Sequence, residues 1–143
     1  MEDADFLAVM SPDIRCYLDR VKELYNAPYA RANGIEMVSL SGDEIRLAME
    51  IKPGDINSIG FCHGGATYGL TDHTLAFASN LKEDAVGQNC NIIYHRPAKS
   101  GRLESVSKRI SNTKSISVFE ICVYCEGKHI STAICTTFKI KRD

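Results

Sequence analysis

The chain carries no excess of charge of either sign: 17 Lys and Arg stand against 18 Asp and Glu among 143 residues, for a formal net charge of −1. A chain whose main partner is a nucleic acid concentrates positive charge, so this balance argues against that class. No apolar run approaches the roughly 18–20 residues that a membrane-spanning helix needs. The N-terminal stretch MEDADFLAVM is acidic and lacks the basic start of a secretory signal, which makes the cytoplasm the expected location. There is no internal repeat and no low-complexity tract. What remains, 44% hydrophobic and 24% charged residues, is an ordinary globular composition. The length suits one domain over residues 1–143, large enough to bury roughly 70% of its unfolded surface without covalent staples.

Several chemical motifs are missing too. The six cysteines, Cys16, Cys62, Cys90, Cys122, Cys125 and Cys135, are scattered, and several lie in apolar runs. In a cytosolic chain they read as small buried hydrophobes. Cys122 and Cys125 match C-x-x-C by spacing, but on a strand they would face opposite ways. No second C-x-x-C and no spaced histidine pair accompanies them, so no metal site is expected. G-x-S-x-G is absent, which argues against a serine-hydrolase elbow. Cys62 and His63 are chain neighbours, which in extended backbone point apart and do not form a thiol–imidazole dyad.

The elements follow from periodicity. Ser11-Pro12-Asp13 opens a helix, with Ser11 as N-cap and Ile14, Leu18, Val21 and Leu24 or Tyr25 at helical spacing. Asn26-Ala27-Pro28 breaks it, and a short turn of helix over 29–32 is closed by Gly34. This N-terminal helical segment covers about residues 11–33. The period then changes to two, giving strands over 35–40 and 45–51 around a turn at Ser41-Gly42-Asp43. One long helix is predicted over 66–81. Strands follow over 86–95, 103–110, 115–125 and 129–139, with connections that suit an antiparallel meander. Strands segregated around one buried helix imply an α+β fold.

The chemistry concentrates in GFCHGGATYGLTDHTLAFASN, residues 60–80. At 100° per residue, Asp72 shares a stripe with Gly65, Tyr68, Gly69, Ala76 and Ser79. Glycines at the helix start present backbone N–H groups without intrahelical partners, aided by the helix dipole. That is an oxyanion site at the helix mouth with a carboxylate two turns along. The pairing suits acyl transfer, in which the donors stabilise charge on a carbonyl oxygen and the carboxylate activates water or attacks directly. The same residues also fit a tight turn at Gly64-Gly65, a turn cap at His63 and a solvated helix face at Asp72.

The string Asn57-x-x-Gly60-x-x-His63-Gly64-Gly65, followed after six residues by Asp72, resembles the hot-dog-fold acyl-CoA thioesterases. It is most similar to the phenylacetate-pathway (hydroxyphenylacetyl-CoA) thioesterase subfamily. Leu70, Ala76 and Asn80, the strand end Tyr94-His95-Arg96-Pro97-Ala98 with Gly101, and Tyr25-Asn26 ahead of Gly34 add to the likeness, which covers roughly residues 20–140. The resemblance implies an antiparallel sheet wrapped around one long central helix, paired into a homodimer or a dimer of dimers (a homotetramer). Active sites would lie at the subunit interface. It implies that Gly64, with Gly65 adjacent, gives backbone N–H to the thioester oxygen, and that Asn57 and His63 shape the loop. Asp72 would be base or nucleophile, serving a site whose donors come from the other subunit, and Asn26 would stand near the reacting centre. Coenzyme A would be part of the substrate, with no separate cofactor. A serine or threonine that some relatives carry after the helix has no counterpart among Gly87, Gln88 and Asn89, which leaves Gln88 or Asn89 to position water. His73, 100° from Asp72, reads as packing or interface.

Six basic residues lie between Arg96 and Lys114, with only Glu104 opposing them. Arg96, Lys108, Arg109 and Lys114 are candidates for the phosphates of coenzyme A, and solvated strand ends are the plainer reading. Tyr68, with Leu75, is a candidate for the acyl pocket. The expected activity is hydrolysis of an acyl-CoA to free acid and CoA. The alternatives are a non-hydrolytic acyl-ligand-binding protein and, more distantly, a hydroxyacyl-thioester dehydratase.

Overall fold

The computed structural model describes residues 1–142. Helices α1 (Asp3–Val9), α2 (Leu18–Tyr25) and α3 (Pro28–Asn33) precede strands β1 (Glu36–Leu40) and β2 (Ile45–Glu50). The long helix α4 (Gly64–Asn80) follows, and then β3 (Asp84–Tyr94), β4 (Arg102–Asn112), β5 (Ile116–Cys125) and β6 (Lys128–Ile140). The N-terminal helical segment starts earlier than expected, at Asp3, and Pro12–Tyr17 forms a 3-10 turn ahead of α2. Ser11 makes no side-chain cap; its hydroxyl donates to the Asp13 carboxylate instead. Gly34 closes α3 in the left-handed conformation, φ +65°, as the sequence required.

All six strands join one antiparallel sheet in the order β1-β2-β4-β5-β6-β3. The expected meander is correct only for β4, β5 and β6. Strand β3 crosses to the far side and pairs with β6, which leaves β2 beside β4. Antiparallel strands joined by tight turns pair as neighbours, but the longer β3–β4 connection, 95–101, leaves room for this crossing.

Helix α4 lies against β2 through β6. It buries Leu70, Leu75 and Phe77 against Leu47, Leu103, Phe119 and Ile121 of the sheet. It is also buried where it is polar, and each hydroxyl is satisfied locally. Thr71, Thr74 and Ser79 donate to the carbonyls of Thr67, Leu70 and Leu75, four residues back. Thr74 also meets Ser105 of β4. Asn80 ties the helix end to β3: its Oδ1 accepts the Ala85 N–H at 2.9 Å and its Nδ2 donates to the Ala76 carbonyl at 3.0 Å. The sheet therefore grips the helix from one side along its whole length, and the rotation of α4 fixes which residues remain outside.

The two sheet edges differ. At β1, Met10 bridges Leu40, and the Ser11 N–H donates to the Leu40 carbonyl at 2.9 Å. At β3, eleven residues long and free of proline, the outer edge has no strand beside it among the described residues, and Val86, Ile93 and Tyr94 are exposed. None of the described helices is long and apolar enough to cross a membrane.

Candidate functional site

The loop that enters α4 is built by Asn57. Its side-chain oxygen accepts the N–H groups of Ile59 and Phe61 at 3.1 and 3.0 Å, closing a turn in which Gly60 takes φ +88°. The Cys62 N–H donates to the Ala98 carbonyl at 2.7 Å and the His63 N–H to the Asp55 carbonyl at 2.6 Å, so the last residues before the helix are held from both sides. His63 is the N-cap: its Nδ1 accepts the Gly65 N–H at 2.9 Å, which places its own proton on Nε2. This corrects one expectation. Gly65 is not a free donor, because the imidazole occupies its N–H. Among the described residues only Gly64 of the pair keeps an N–H without an acceptor, as the first residue of a helix does.

Tyr94, at the end of β3, lies over this glycine. Its hydroxyl donates to the Gly64 carbonyl at 2.9 Å. A Cβ on Gly64 would come within 3.1 Å of the ring, closer than side chains normally approach. Gly64 is therefore the residue that lets the tyrosine pin the helix mouth. An open cleft of about 360 Å³ faces it, lined by Asn57, Phe61, Gly64, Thr67, Tyr94 and Arg96 among others. Tyr94 is the positioning residue that sequence reasoning named without a role. Only the pairing of β3 with β6 carries it across the helix N-terminus, and no local pattern reveals that pairing.

Asp72 occupies a different place. It is exposed. The stripe divides: Gly69 is covered by Tyr29 of α3 and Ser79 is buried, while Tyr68 and Asp72 emerge beside the open β3 edge. A smaller cleft of about 160 Å³ holds Asp72 with Tyr68, Leu75, Gln88, Asn89 and Cys90. Gln88 and Asn89, the residues considered for positioning water, line this cleft with Asp72. Gln88 is the extra residue of a β-bulge, since Gly87 pairs with Thr137 and Asn89 with Thr136. Asp72 lies eight positions after Gly64, about 12 Å along the helix axis. Within one chain the free donor and the carboxylate face separate clefts, too far apart for a single carbonyl group.

The remaining candidates fall elsewhere. Asn26 ends α2, donates to the Lys22 carbonyl at 2.9 Å and lines neither cleft. His73 is packing, as expected: it is 8% exposed, its Nε2 lies 3.0 Å from the Leu24 carbonyl, and it meets Phe77 edge-on. Burial pushes its pKa below the ordinary value of 6.5. The basic residues do not form one patch within a chain. Arg96 borders the Gly64 cleft, and Lys99 lies over Phe61 nearby. Lys108, Arg109 and Lys114 sit toward the other end of the sheet, because β4 extends about 24 Å between Arg102 and Arg109. Cys122 and Cys125 do lie on opposite faces, the first near Glu120 and Thr132 and the second in the core. Burial pushes the Cys62 thiol up, which disfavours it as a nucleophile. No group of three or more His, Cys, Asp or Glu among the described residues is arranged to hold a metal ion.

Comparison with known proteins identifies the family and the fold. The profile of the Thioesterase superfamily matches residues 59–131, a span that includes both clefts' helix and β3. A Deinococcus radiodurans protein that carries an esterase designation is 30% identical over 96 residues, covering 65% of this chain and 66% of its own. The acyl-coenzyme A thioesterase PaaI of Escherichia coli is 28% identical over 98 residues, 67% of this chain and 70% of the relative. The match thus spans about two thirds of the length of these relatives. Among solved structures, the E. coli PaaI protein from the phenylacetic acid degradation operon superposes with a TM-score of 0.85 at 23% identity, over 90% of this chain and 96% of that one. At that identity the likeness carries the fold, which is the hot-dog arrangement of a sheet around a central helix.

Proposed function

The chain belongs to the thioesterase superfamily, and on that premise we propose that it hydrolyses an acyl-CoA thioester to free acid and CoA at a site shared by two copies of the chain. One observation carries the reading. Gly64, half-buried at an open cleft with its N–H unpartnered among the described residues, and the exposed Asp72 stand about 12 Å apart along one helix. A second copy brings another Asp72 to each Gly64 if the two chains meet along β3. The open edge of that strand supports such a meeting: it is long, lacks proline, and shows exposed Val86, Ile93 and Tyr94, features that natural edges otherwise avoid. The oligomer is a homodimer or a dimer of dimers.

In this reading the thioester oxygen lies against the Gly64 N–H. Asn57 shapes the loop, and the His63 cap and Tyr94 hold the next peptide group, the Gly64 carbonyl with the Gly65 N–H, so the neighbouring Gly64 donor is aimed before charge develops. Asp72 of the other copy either takes a proton from water as it attacks or attacks the carbonyl itself to form a transient anhydride. Both routes end with the acid, and the CoA sulfur leaves as the thiol. Gln88 or Asn89 orients the water, and Tyr68 with Leu75 borders the acyl group. Arg96 is the basic residue that lines the Gly64 cleft, and it receives a CoA phosphate. The test is a thiol-release assay over a panel of aryl, short-chain and medium-chain acyl-CoAs. CoA release with at least one member supports hydrolysis. Calorimetric binding with no release across the panel would instead identify a protein that holds acyl-CoA without turnover.

A further inference from the structure

Cys90 and Cys135 play no part in the chemistry above. They are register partners on the adjacent strands β3 and β6, and their sulfurs lie 3.0 Å apart. Residues directly opposite in an antiparallel pair have Cα atoms about 4.5–5.5 Å apart, inside the window of about 4.4–6.8 Å that a disulfide spans. Closing the bond therefore asks for no strand movement. Both sulfurs lie on the face of the sheet toward α4, where Cys90 packs against the cluster of Leu75, Phe119 and Cys135. The two thiols differ in access. Cys135 is fully buried, and burial pushes its pKa well above the usual thiol range. Cys90 is half-buried and borders the Asp72 cleft, from which a small molecule can reach it. After burial itself, Cys90 and Asp72 are the groups that act most on the Tyr68 phenol, so the pair stands beside the residues that border the substrate.

We infer that Cys90 and Cys135 form a reversible dithiol–disulfide pair that takes a low-molecular-weight disulfide as its co-reactant and, when closed, slows turnover in the neighbouring cleft. The second half rests on the proposed thioesterase activity; the first does not. The Cys90 thiolate attacks one sulfur of the small disulfide, whose S–S bond breaks, and one thiolate leaves and takes a proton from water. Cys135 attacks the Cys90 sulfur of the mixed disulfide as its proton passes to the departing small thiolate, which leaves as the second small thiol. Burial of Cys135 slows this step, and its sulfur's position 3.0 Å from that of Cys90 favours it. The protein dithiol loses two electrons and two protons, and the small disulfide gains both as two thiols. The closed bond draws the Cys90 sulfur about 1 Å toward Cys135, given a disulfide length of about 2 Å. It thereby reshapes the wall shared with Tyr68 and fixes β3 to β6 beside the bulge at Gln88.

The test incubates the full chain with excess glutathione disulfide, then measures intact mass, maps linked peptides and assays thioester hydrolysis before and after reduction. The expected result is a loss of two hydrogens, a linked Cys90–Cys135 peptide, and turnover below half of the reduced value that dithiothreitol restores. Cys135→Ala should retain the glutathione adduct on Cys90 and form no link. Absence of the linked peptide in wild type, with mixed disulfides as the sole products, would overturn the pair. A linked peptide with unchanged turnover would overturn its control of the cleft. If no acyl-CoA is hydrolysed at all, the mass result still decides whether the pair exists, and the failure then belongs to the thioesterase reading.

Discussion

Gly64 combines two properties that rarely coincide: its N–H has no acceptor, and its missing side chain admits Tyr94. Proline at the first position of a helix deletes the N–H while keeping the helical φ, and His63, at φ −61° and ψ 136°, already has the backbone that precedes a proline. Gly64→Ala, which adds the Cβ against Tyr94 and keeps the N–H, measures the effect of that crowding alone. Gly64→Pro should leave the helical circular dichroism unchanged and bring kcat about 10²–10³-fold below that of Gly64→Ala, the range for one lost oxyanion donor. Equal kcat in the two variants would remove Gly64 from the site. Asp72→Asn should lower hydrolysis at least about a hundredfold without changing the oligomer, the scale of lost acid–base or nucleophilic help. His73 gives a pH prediction. Its folded pKa is depressed by burial, so the folded ring stays neutral while the unfolded one takes up a proton. Its contribution is complete above the ordinary value of 6.5 and is lost as pH falls through the lower folded value. The urea midpoint should fall as pH drops below 6.5, and His73→Phe should flatten that slope. Asp84, held below its usual range first by its bond to Arg20, loses its contribution only under more acidic conditions, below 3.8, so the two windows are separate.

At the scale of elements, sequence reasoning recovered what local chemistry determines. Alternation over 45–51, the glycine stop at Gly34 and the turn at Ser41-Gly42-Asp43 each act through neighbours in the chain, and each appears where expected. The donor end of α4 was legible for the same reason: Asn57, His63 and Gly64 are close in sequence and fold among themselves. Four features were not legible. The crossing of β3 to β6 depends on contacts far apart in the chain, and with it went the role of Tyr94. Which part of the stripe is exposed depends on Tyr29 of α3 covering Gly69 while Asp72 is left uncovered among the described residues. The early start at Asp3 rests on Phe6 packing edge-on against Tyr25 of another helix. Gly65 looked like a donor because its occupation by His63 is a side-chain rotamer, not a sequence pattern. The cap gives this scale its prediction: His63→Ala should cost about 1 kcal/mol in chemical unfolding, as lost N-caps do, and should also lower kcat by loosening Gly64. A variant as stable as wild type would show that the cap does not hold the helix mouth.

For the molecule as a whole, the separation along α4 underlies the proposal that the site is assembled from two chains. The open β3 edge and the two clefts on one helix support the proposed pairing of chains, while at β1 Met10 bridges Leu40 at one end of the edge. The most direct measurement mixes two inactive variants. Asp72→Asn chains and Gly64→Pro chains are co-expressed with different tags, the mixed oligomer is isolated, and acyl-CoA hydrolysis is assayed. In a shared site, each mixed dimer unites the intact Asp72 of one chain with the intact Gly64 of the other. The expected result is recovery of about half of the wild-type rate per dimer, one of two sites being whole. Mixed oligomers as inactive as their parents would contradict a site built from two chains.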